Sequence, residues 1–495
     1  MTPKFVQASA VALLAGYVAL GWTGIKAGLS SIDSYGIIEA ANIRLQTGAF
    51  AMSRPPGHPL NEDWMLPAFA WMVERGPAFS SETYGFYQLA GGLGCAVFFW
   101  LLLGQIPLSP ARRFLATACL MFSPFFLIES SDGEEFLWGS AFLFAALWIV
   151  AKLSTGTIPR IMAGWGLALA CAVGASGCRI EFGVVALGMV FGTLLASDRN
   201  WRQKLGLILF AAVLLVLLWG PLVFRFGMNR PYPIPLSLAV RLGVGLYKII
   251  FHALGLIPMV FAAYLFIQAR GHFRLIPPFG RPIVGYMGVW LTLVFFGLFF
   301  LYPMKPAVMI PLVAFLILLS AMQAGPWLWA CFVMACLGVQ LAQLDCFDNR
   351  VWTGLKLEPS LWEQSLRGKP AFKGPEIAAA SHFVMGGRRV VIANVWPWDL
   401  EWERKHNSWP GTPMPDLKTK EWTMAYRVGP GVVMSRTTVD NPSFLRGYAN
   451  QGYGIWIDRD VYREDYMRYR LSEPVPETAT IGGVTCRIAG EELSQ

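Results

Sequence analysis

Charge is scarce in this sequence: only 14% of its 495 residues are Asp, Glu, Lys or Arg, against 55% hydrophobic residues and a mean hydropathy of +0.48. That balance excludes an ordinary soluble domain of this length and is normal for a chain that crosses a membrane many times. The phosphate-cradling G-x-x-x-x-G-K-[ST] loop, the G-x-G-x-x-G turn and the H-E-x-x-H helix are all missing, so ATP hydrolysis, dinucleotide binding and zincin chemistry have no support. No two of the eight cysteines stand at C-x-x-C spacing, which removes the usual metal knuckle. No internal repeat or low-complexity segment is present.

What is there is a succession of apolar runs. Runs of spanning length, about 17 to 25 residues, lie near 5–24, 84–104, 114–128, 136–151, 161–177, 182–196, 205–223, 244–267, 283–301, 306–322 and 327–344. They predict a polytopic α-helical membrane protein of about eleven transmembrane helices. The first run follows the single Lys4 and lacks a small-x-small cleavage site, so it reads as a retained helix and not a removed signal.

The formal net charge of +9 sits in short loops between these runs, where it reports helix orientation and not nucleic-acid binding. With a cytoplasmic N-terminus, the inner loops hold Lys4, Arg112, Arg113, Lys152, Arg160, Arg199, Arg202, Lys204, Arg270, Arg274 and Arg281. The short outer loops hold only Arg179, Arg225, Arg230, Arg241 and Lys305, a bias that favours this orientation by the positive-inside rule.

This orientation puts three polar segments on one outer side: a first loop at 25–83, the acidic stretch Glu129–Glu135, and the tail beyond Asp345. In the first loop Tyr35, Ile38, Asn42 and Leu45 recur at helical spacing, as do Leu60, Trp64, Ala68 and Trp71, which predicts two interfacial amphipathic helices. The tail carries β-like runs at Arg389–Ala393, Gly431–Ser435 and Gly454–Asp458 among Pro- and Gly-rich turns. Two domains are therefore expected: a transmembrane domain 1–345 and a soluble, non-cytoplasmic α/β domain 346–495. Only Cys346 and Cys486 fall in the polar region, and they are the pair to consider for a disulfide in an oxidising compartment.

Two outer-loop elements draw attention as chemistry. Ile32-Asp33-Ser34-Tyr35 follows the first helix, and about twenty residues later comes Ser53-Arg54-Pro55-Pro56-Gly57-His58-Pro59-Leu60. Asp33 suits a base that takes a proton from an attacking hydroxyl, or an N-terminal cap of the following helix. His58 suits substrate contact, or simply fills the bend. One of the acids at 129–135, with Glu134 or Glu135 preferred, suits a second acidic group or a metal ligand, although an acidic outer loop is also what orientation bias leaves behind. Arg179 and Glu181 stand between two apolar runs with almost no loop, where charges face a cavity or one another. Trp396, Trp398, Trp402 and Trp409 suit a sugar-stacking platform, or ordinary packing.

On Asp33 and the Arg54–Leu60 turn, with Tyr302-Pro-Met-Lys305-Pro-Ala-Val-Met-Ile-Pro311 as a second echo, residues 1–345 resemble the C-type glycosyltransferase (GT-C) superfamily. These polytopic enzymes include the protein O-mannosyltransferases and the lipid A aminoarabinose transferases. The resemblance implies a multi-pass protein, of a bacterial inner membrane, that transfers a sugar from a polyprenyl-phosphate donor to an acceptor hydroxyl on a glycan, lipid or protein at the periplasmic face. It puts Asp33 in the place of the catalytic acid. The family often has Asp-Glu where this chain has Asp33-Ser34. The departing lipid phosphate calls for fixed cations, and Arg54, His58, Arg179 and Lys305 are the candidates, with a divalent cation compatible but no certain cofactor. The rival readings are a transporter or flippase, against which the near absence of intramembrane acids counts, and a non-enzymatic membrane protein whose tail binds a partner.

Overall fold

In the computed structural model, the described residues are 3–26, 32–53, 57–76, 80–154, 162–226, 237–269, 306–348, 351–368, 374–395, 400, 403–404, 409–414, 424–436, 443–465, 474–481 and 483–489. The chain divides into two compact units, Met1–Gly368 and Lys369–Gln495.

The first unit is helical. Helix α1 (Pro3–Lys26) is followed by α2 (Ile32–Thr47), a π-helical segment (Leu60–Met65) and α3 (Leu66–Glu74). Then come α4 (Ser81–Leu103), α5 (Pro110–Met121), α6 (Pro124–Asp132), α7 (Phe136–Ser154), α8 (Met162–Cys178), α9 (Ile180–Leu195) and α10 (Trp201–Phe226). After α11 (Leu238–Tyr247), a second π-helical segment (Lys248–Ala253) and α12 (Leu256–Ala269), the described residues continue with helices Ile310–Gln323 and Pro326–Gly338 and, later, the short helix Leu361–Gly368.

Three of the described helices, Ser81–Leu103, Phe136–Leu153 and Trp201–Phe226, are long and apolar enough to span a membrane by themselves, or up to five spans if each of two bent pairs counts as one. The other apolar helices are shorter, and the expected run 283–301 lies outside the described residues. The run 327–344 is helical only to Gly338 and passes into a strand at Ala342.

Helix breaks follow from local chemistry. Ser80 caps α4 by accepting from Thr83 N–H at 3.2 Å, and its own N–H is held by Glu74 at 2.9 Å. Pro124 cannot donate a backbone hydrogen bond and drives Ser123 into an extended conformation (ψ 146), so α5 and α6 form a pair bent by 62°. Gly255, at φ +89, ends the second π-helical segment where the chain bends by 97°. Between apolar helices in lipid, burial gives little drive and close packing must supply it. Gly91 of α4 accordingly lies against Trp138 of α7, whose indole N–H donates to the Tyr87 carbonyl at 3.2 Å.

Strands β1 (Ala342–Asp348) and β2 (Val351–Pro359) form an antiparallel hairpin in this first unit. The unit boundary thus falls at Gly368, beyond the position 345/346 where composition changes. The reason is physical: β1 packs on α12 and the segment Leu361–Gly368 packs on α6, so the polar chain still belongs to the helical body.

In the second unit a seven-stranded sheet has the order β4-β5-β6-β3-β7-β9-β8: β3 (Arg389–Ile392), β4 (Thr412–Pro413), β5 (Ala425–Val428), β6 (Gly431–Met434), β7 (Gly454–Asp458), β8 (Thr478–Ile481) and β9 (Val484–Ala489). Strands β6, β3, β7 and β9 run parallel, and the outer pairs are antiparallel. Alternation sends Val390 and Ile392 to one face with Leu445 and Val461, and Val391 to the other with Ile377 and Val384. Both faces are buried, which explains the unbroken apolar runs Val390-Val391-Ile392 and Val432-Val433-Met434. Trp409 belongs to this packing: its indole donates to Ser381 Oγ at 2.8 Å and its ring lies 5.1 Å from that of Tyr426. Trp396, Trp398 and Trp402 lie outside the described residues. The eight cysteines are free thiols, and Cys346 and Cys486, one in each unit, are both buried.

Candidate active site

The acidic stretch turns at Gly133, where α6 ends and α7 is about to begin. A Cβ on Gly133 would fall inside the side chain and carbonyl of Glu129, so glycine is required for this close approach. Glu129 Oε2 accepts the Glu134 N–H at 2.8 Å and holds the turn. The Gly133 carbonyl accepts two hydroxyls, Tyr84 Oη at 2.7 Å and Ser34 Oγ at 3.3 Å. Ser34 is one residue from Asp33, so the first turn of α2 is docked on the acidic turn. Asp33 itself lies within α2, and the environment of its side chain is outside what the structure describes.

Glu135, fully buried, is the hub of a charged cluster. Arg179 Nη1 lies 2.7 Å from Glu135 Oε1, and its Nη2 lies 3.0 Å from Glu181 Oε1. The guanidinium also sits 4.3 Å from the centre of the Phe136 ring. Arg179 is able to reach both acids because it is extended (φ −148, ψ 124) between two helices, the single residue that separates α8 from α9.

The third member is His58. Its imidazole is buried, next to the left-handed Gly57 (φ +84). Its Nδ1 donates to the Cys178 carbonyl at 2.8 Å, since a carbonyl only accepts, and Nε2 is 3.0 Å from Glu135 Oε1. With the Nδ1 proton given to a carbonyl, the Nε2–Glu135 contact needs a further proton on one of the two partners. His58, Glu135 and Arg179 are therefore one group, with Glu134 buried on the same turn. Arg54 and Lys305 lie outside the described residues. Among the described residues, no group of three or more His, Cys, Asp or Glu is arranged to hold a metal ion.

A pair of acids that the sequence reading passed over, Glu62 and Asp63, is buried beside this group. Glu62 accepts from Ser53 Oγ, from Ser53 N–H at 3.3 Å and from His58 N–H at 3.4 Å, so it ties Ser53 to His58. Burial, helped by the charge of Glu135 and opposed by the Ser53 hydroxyl, pushes Glu62 up from 4.5 to about 8. Burial also pushes Asp63 up from 3.8 to about 7, against the Ala51 N–H and the charges of Arg44 and Arg225. The signal for them is two adjacent acids inside Leu60–Leu66, a segment in which only Leu60 and Trp64 belong to the expected amphipathic spacing.

These shifts fix a pH response. Between 4.5 and about 8 the unfolded chain has released the Glu62 proton while the folded chain keeps it, so stability declines as pH rises through that window. Glu62→Gln is expected to flatten this decline. Thermal midpoints measured from pH 5 upward for both proteins are the check, and parallel curves would show that Glu62 does not titrate in the fold.

A second hydrogen-bonded group lies at the sharp bend near α12: Tyr247 Oη donates to Asp345 Oδ1 at 2.7 Å, and His252 Nε2 is 3.2 Å from Asp345 Oδ2 and 3.0 Å from Tyr247 Oη. No spacing in the sequence connects Asp345 with residues almost a hundred positions earlier.

No protein-family model matches the chain, and no curated protein does. Among solved structures it is similar to ArnT from Cupriavidus metallidurans bound to undecaprenyl phosphate, at 15% identity over 66% of this chain and 62% of that one, with a TM-score of 0.45. The apo form of ArnT gives 14% identity, 68% and 63% coverage and a TM-score of 0.46. An archaeal oligosaccharyltransferase, AglB from Archaeoglobus fulgidus in complex with an inhibitory peptide and a dolichol-phosphate, gives 12% identity, 66% and 50% coverage and a TM-score of 0.29. The chain thus spans 62% of the length of the ArnT structure with its lipid.

Proposed function

We propose that this protein is a membrane glycosyltransferase that moves a sugar from a polyprenyl-phosphate donor to an acceptor hydroxyl at the outer face of the membrane. The observation that carries the reading is the docking of Ser34 on the Gly133 carbonyl. It puts the helix turn bearing Asp33 against the turn bearing Glu134 and Glu135, to which His58 and Arg179 are tied.

In this reading Asp33 orients the acceptor hydroxyl and takes its proton as oxygen attacks the anomeric carbon. The bond from that carbon to the lipid phosphate breaks, and the phosphate leaves with the electron pair. Arg54, Arg179 and Lys305 stabilise the charge that develops on its oxygens. His58 and Glu135 hold Arg179 in place. A divalent cation near the phosphate would add to the same stabilisation when bound. The lipid chain of the donor stays in the bilayer while its head group reaches the first outer loop. The tail lies on the same outer side, in keeping with the excess of Lys and Arg in the opposite loops.

One experiment tests both chemistry and sidedness. Sealed right-side-out vesicles containing the protein are loaded with a panel of labelled polyprenyl-phosphate sugars and supplied with candidate acceptors from outside. Release or transfer of sugar without permeabilisation is expected. No reaction with any donor would remove the enzymatic reading, and reaction only after permeabilisation would reverse the orientation.

A further inference from the structure

Helices α8 and α10 leave an open apolar groove between them, lined by Met162, Gly166, Ala170, Leu207 and Phe210. It lies in the first half of α8. From Ala170 to Cys178, where the candidate active site begins, is about 12 Å of helix at 1.5 Å per residue. The groove is therefore separate from that site.

Glycine at position 166 is not there to let helices approach. Elsewhere on α8, a Cβ at Gly164 would meet Leu153 at 2.9 Å and one at Gly174 would meet Phe142 at 3.0 Å, so those glycines permit close packing. At Gly166 the nearest atom is Phe210 Cε1 at 3.9 Å, and the missing side chain simply leaves a recess.

A cation stands at the mouth of this recess. Arg199 places Nη1 3.5 Å from the sulfur of Met162, one of the lining residues, and among the described residues it makes no ion pair. Arg202 is exposed in the first turn of α10, next to Trp201, which is 68% exposed and is of the type enriched at membrane interfaces. Lys204 is already engaged, donating to the Leu195 carbonyl at 2.7 Å at the end of α9.

We propose that this groove binds an anionic glycerophospholipid, with one acyl chain along Gly166 and Ala170 and the phosphate on Arg199 and Arg202. Charge complementarity selects this occupant: an apolar recess with the Arg199 guanidinium at its mouth and Arg202 exposed in the first turn of α10 fits a chain that ends in a phosphate. The inference does not depend on the enzymatic reading.

The test uses the full-length protein purified in neutral detergent. Phosphatidylglycerol and phosphatidylcholine of the same chain length are titrated in turn, following the thermal midpoint and counting retained lipid by native mass spectrometry. Phosphatidylglycerol is expected to raise the midpoint of the wild type where phosphatidylcholine does not. Arg199→Gln should weaken retention by about tenfold, the loss of one charge-assisted contact. Gly166→Leu, whose Cβ would meet nothing nearer than Phe210 Cε1 at 3.9 Å, fills the recess and should abolish the effect. Equal responses to the two lipids, wild-type titrations from both variants, or a retained species with the mass of a polyprenyl phosphate would each overturn the assignment.

Discussion

Asp33→Asn is expected to reduce sugar transfer by about 10²-fold or more, the usual contribution of a general base, while the thermal midpoint stays near that of the wild type. The prediction follows from where the residue lies. Asp33 is in the first turn of α2 (Ile32–Thr47), where a carboxylate also favours the helix through its dipole, a contribution of about 0.3–1 kcal/mol. Asparagine keeps the size and removes the charge that accepts a proton, forfeiting at most that small dipole contribution. A purely structural Asp33 predicts the reverse pattern: Asp33→Ala would lower stability, and Asp33→Asn would keep its activity. That pattern would remove Asp33 as the base and with it the main chemical reason for assigning a transferase.

The second large effect concerns Arg179. Its guanidinium is held between Glu135, which is fully buried, and Glu181, which is a fifth exposed at the side chain. Arg179→Met keeps much of the apolar stem but leaves the Glu135 carboxylate in the interior without its strongest partner. Breaking a buried pair from one side costs about 3–5 kcal/mol, so a large fall in thermal midpoint is expected, with transfer lost alongside. Glu135→Gln should be milder, because Arg179 retains Glu181. Combining the two changes should recover part of the stability lost in Arg179→Met alone. A cost below about 1 kcal/mol for Arg179→Met, the range of exposed ion pairs, would show that His58 balances Glu135 without it.

The helical membrane class was legible from composition because lipid leaves the backbone no partner but itself, so a long apolar run must be a helix. The three main strand runs of the tail were legible for a related reason. A central strand buried on both faces has to be apolar throughout, as β3 and β6 are. The breaks at Pro124 and Gly255 fall inside the apolar runs 114–128 and 244–267, which hydropathy reads as continuous.

Other features depend on neighbours that are distant in sequence. Nothing local to Ile-Asp-Ser-Tyr says that Ser34 will reach Gly133, 99 positions away. In the sequence His58 suits substrate contact or the filling of a bend, and only the packing of α8 against the first loop turns its ring to the Cys178 carbonyl. Glu62 and Asp63 were passed over for the same reason: an acid pair on a short amphipathic helix usually faces water, and these two face inward because Ser53, His58 and Ala51 supply donors there. The sequence by itself determined which segments must leave water, since transfer free energy is a property of each run. Only the tertiary structure decided which polar side chains would meet, since a buried carboxylate is tolerated just where distant residues bring it donors and charge.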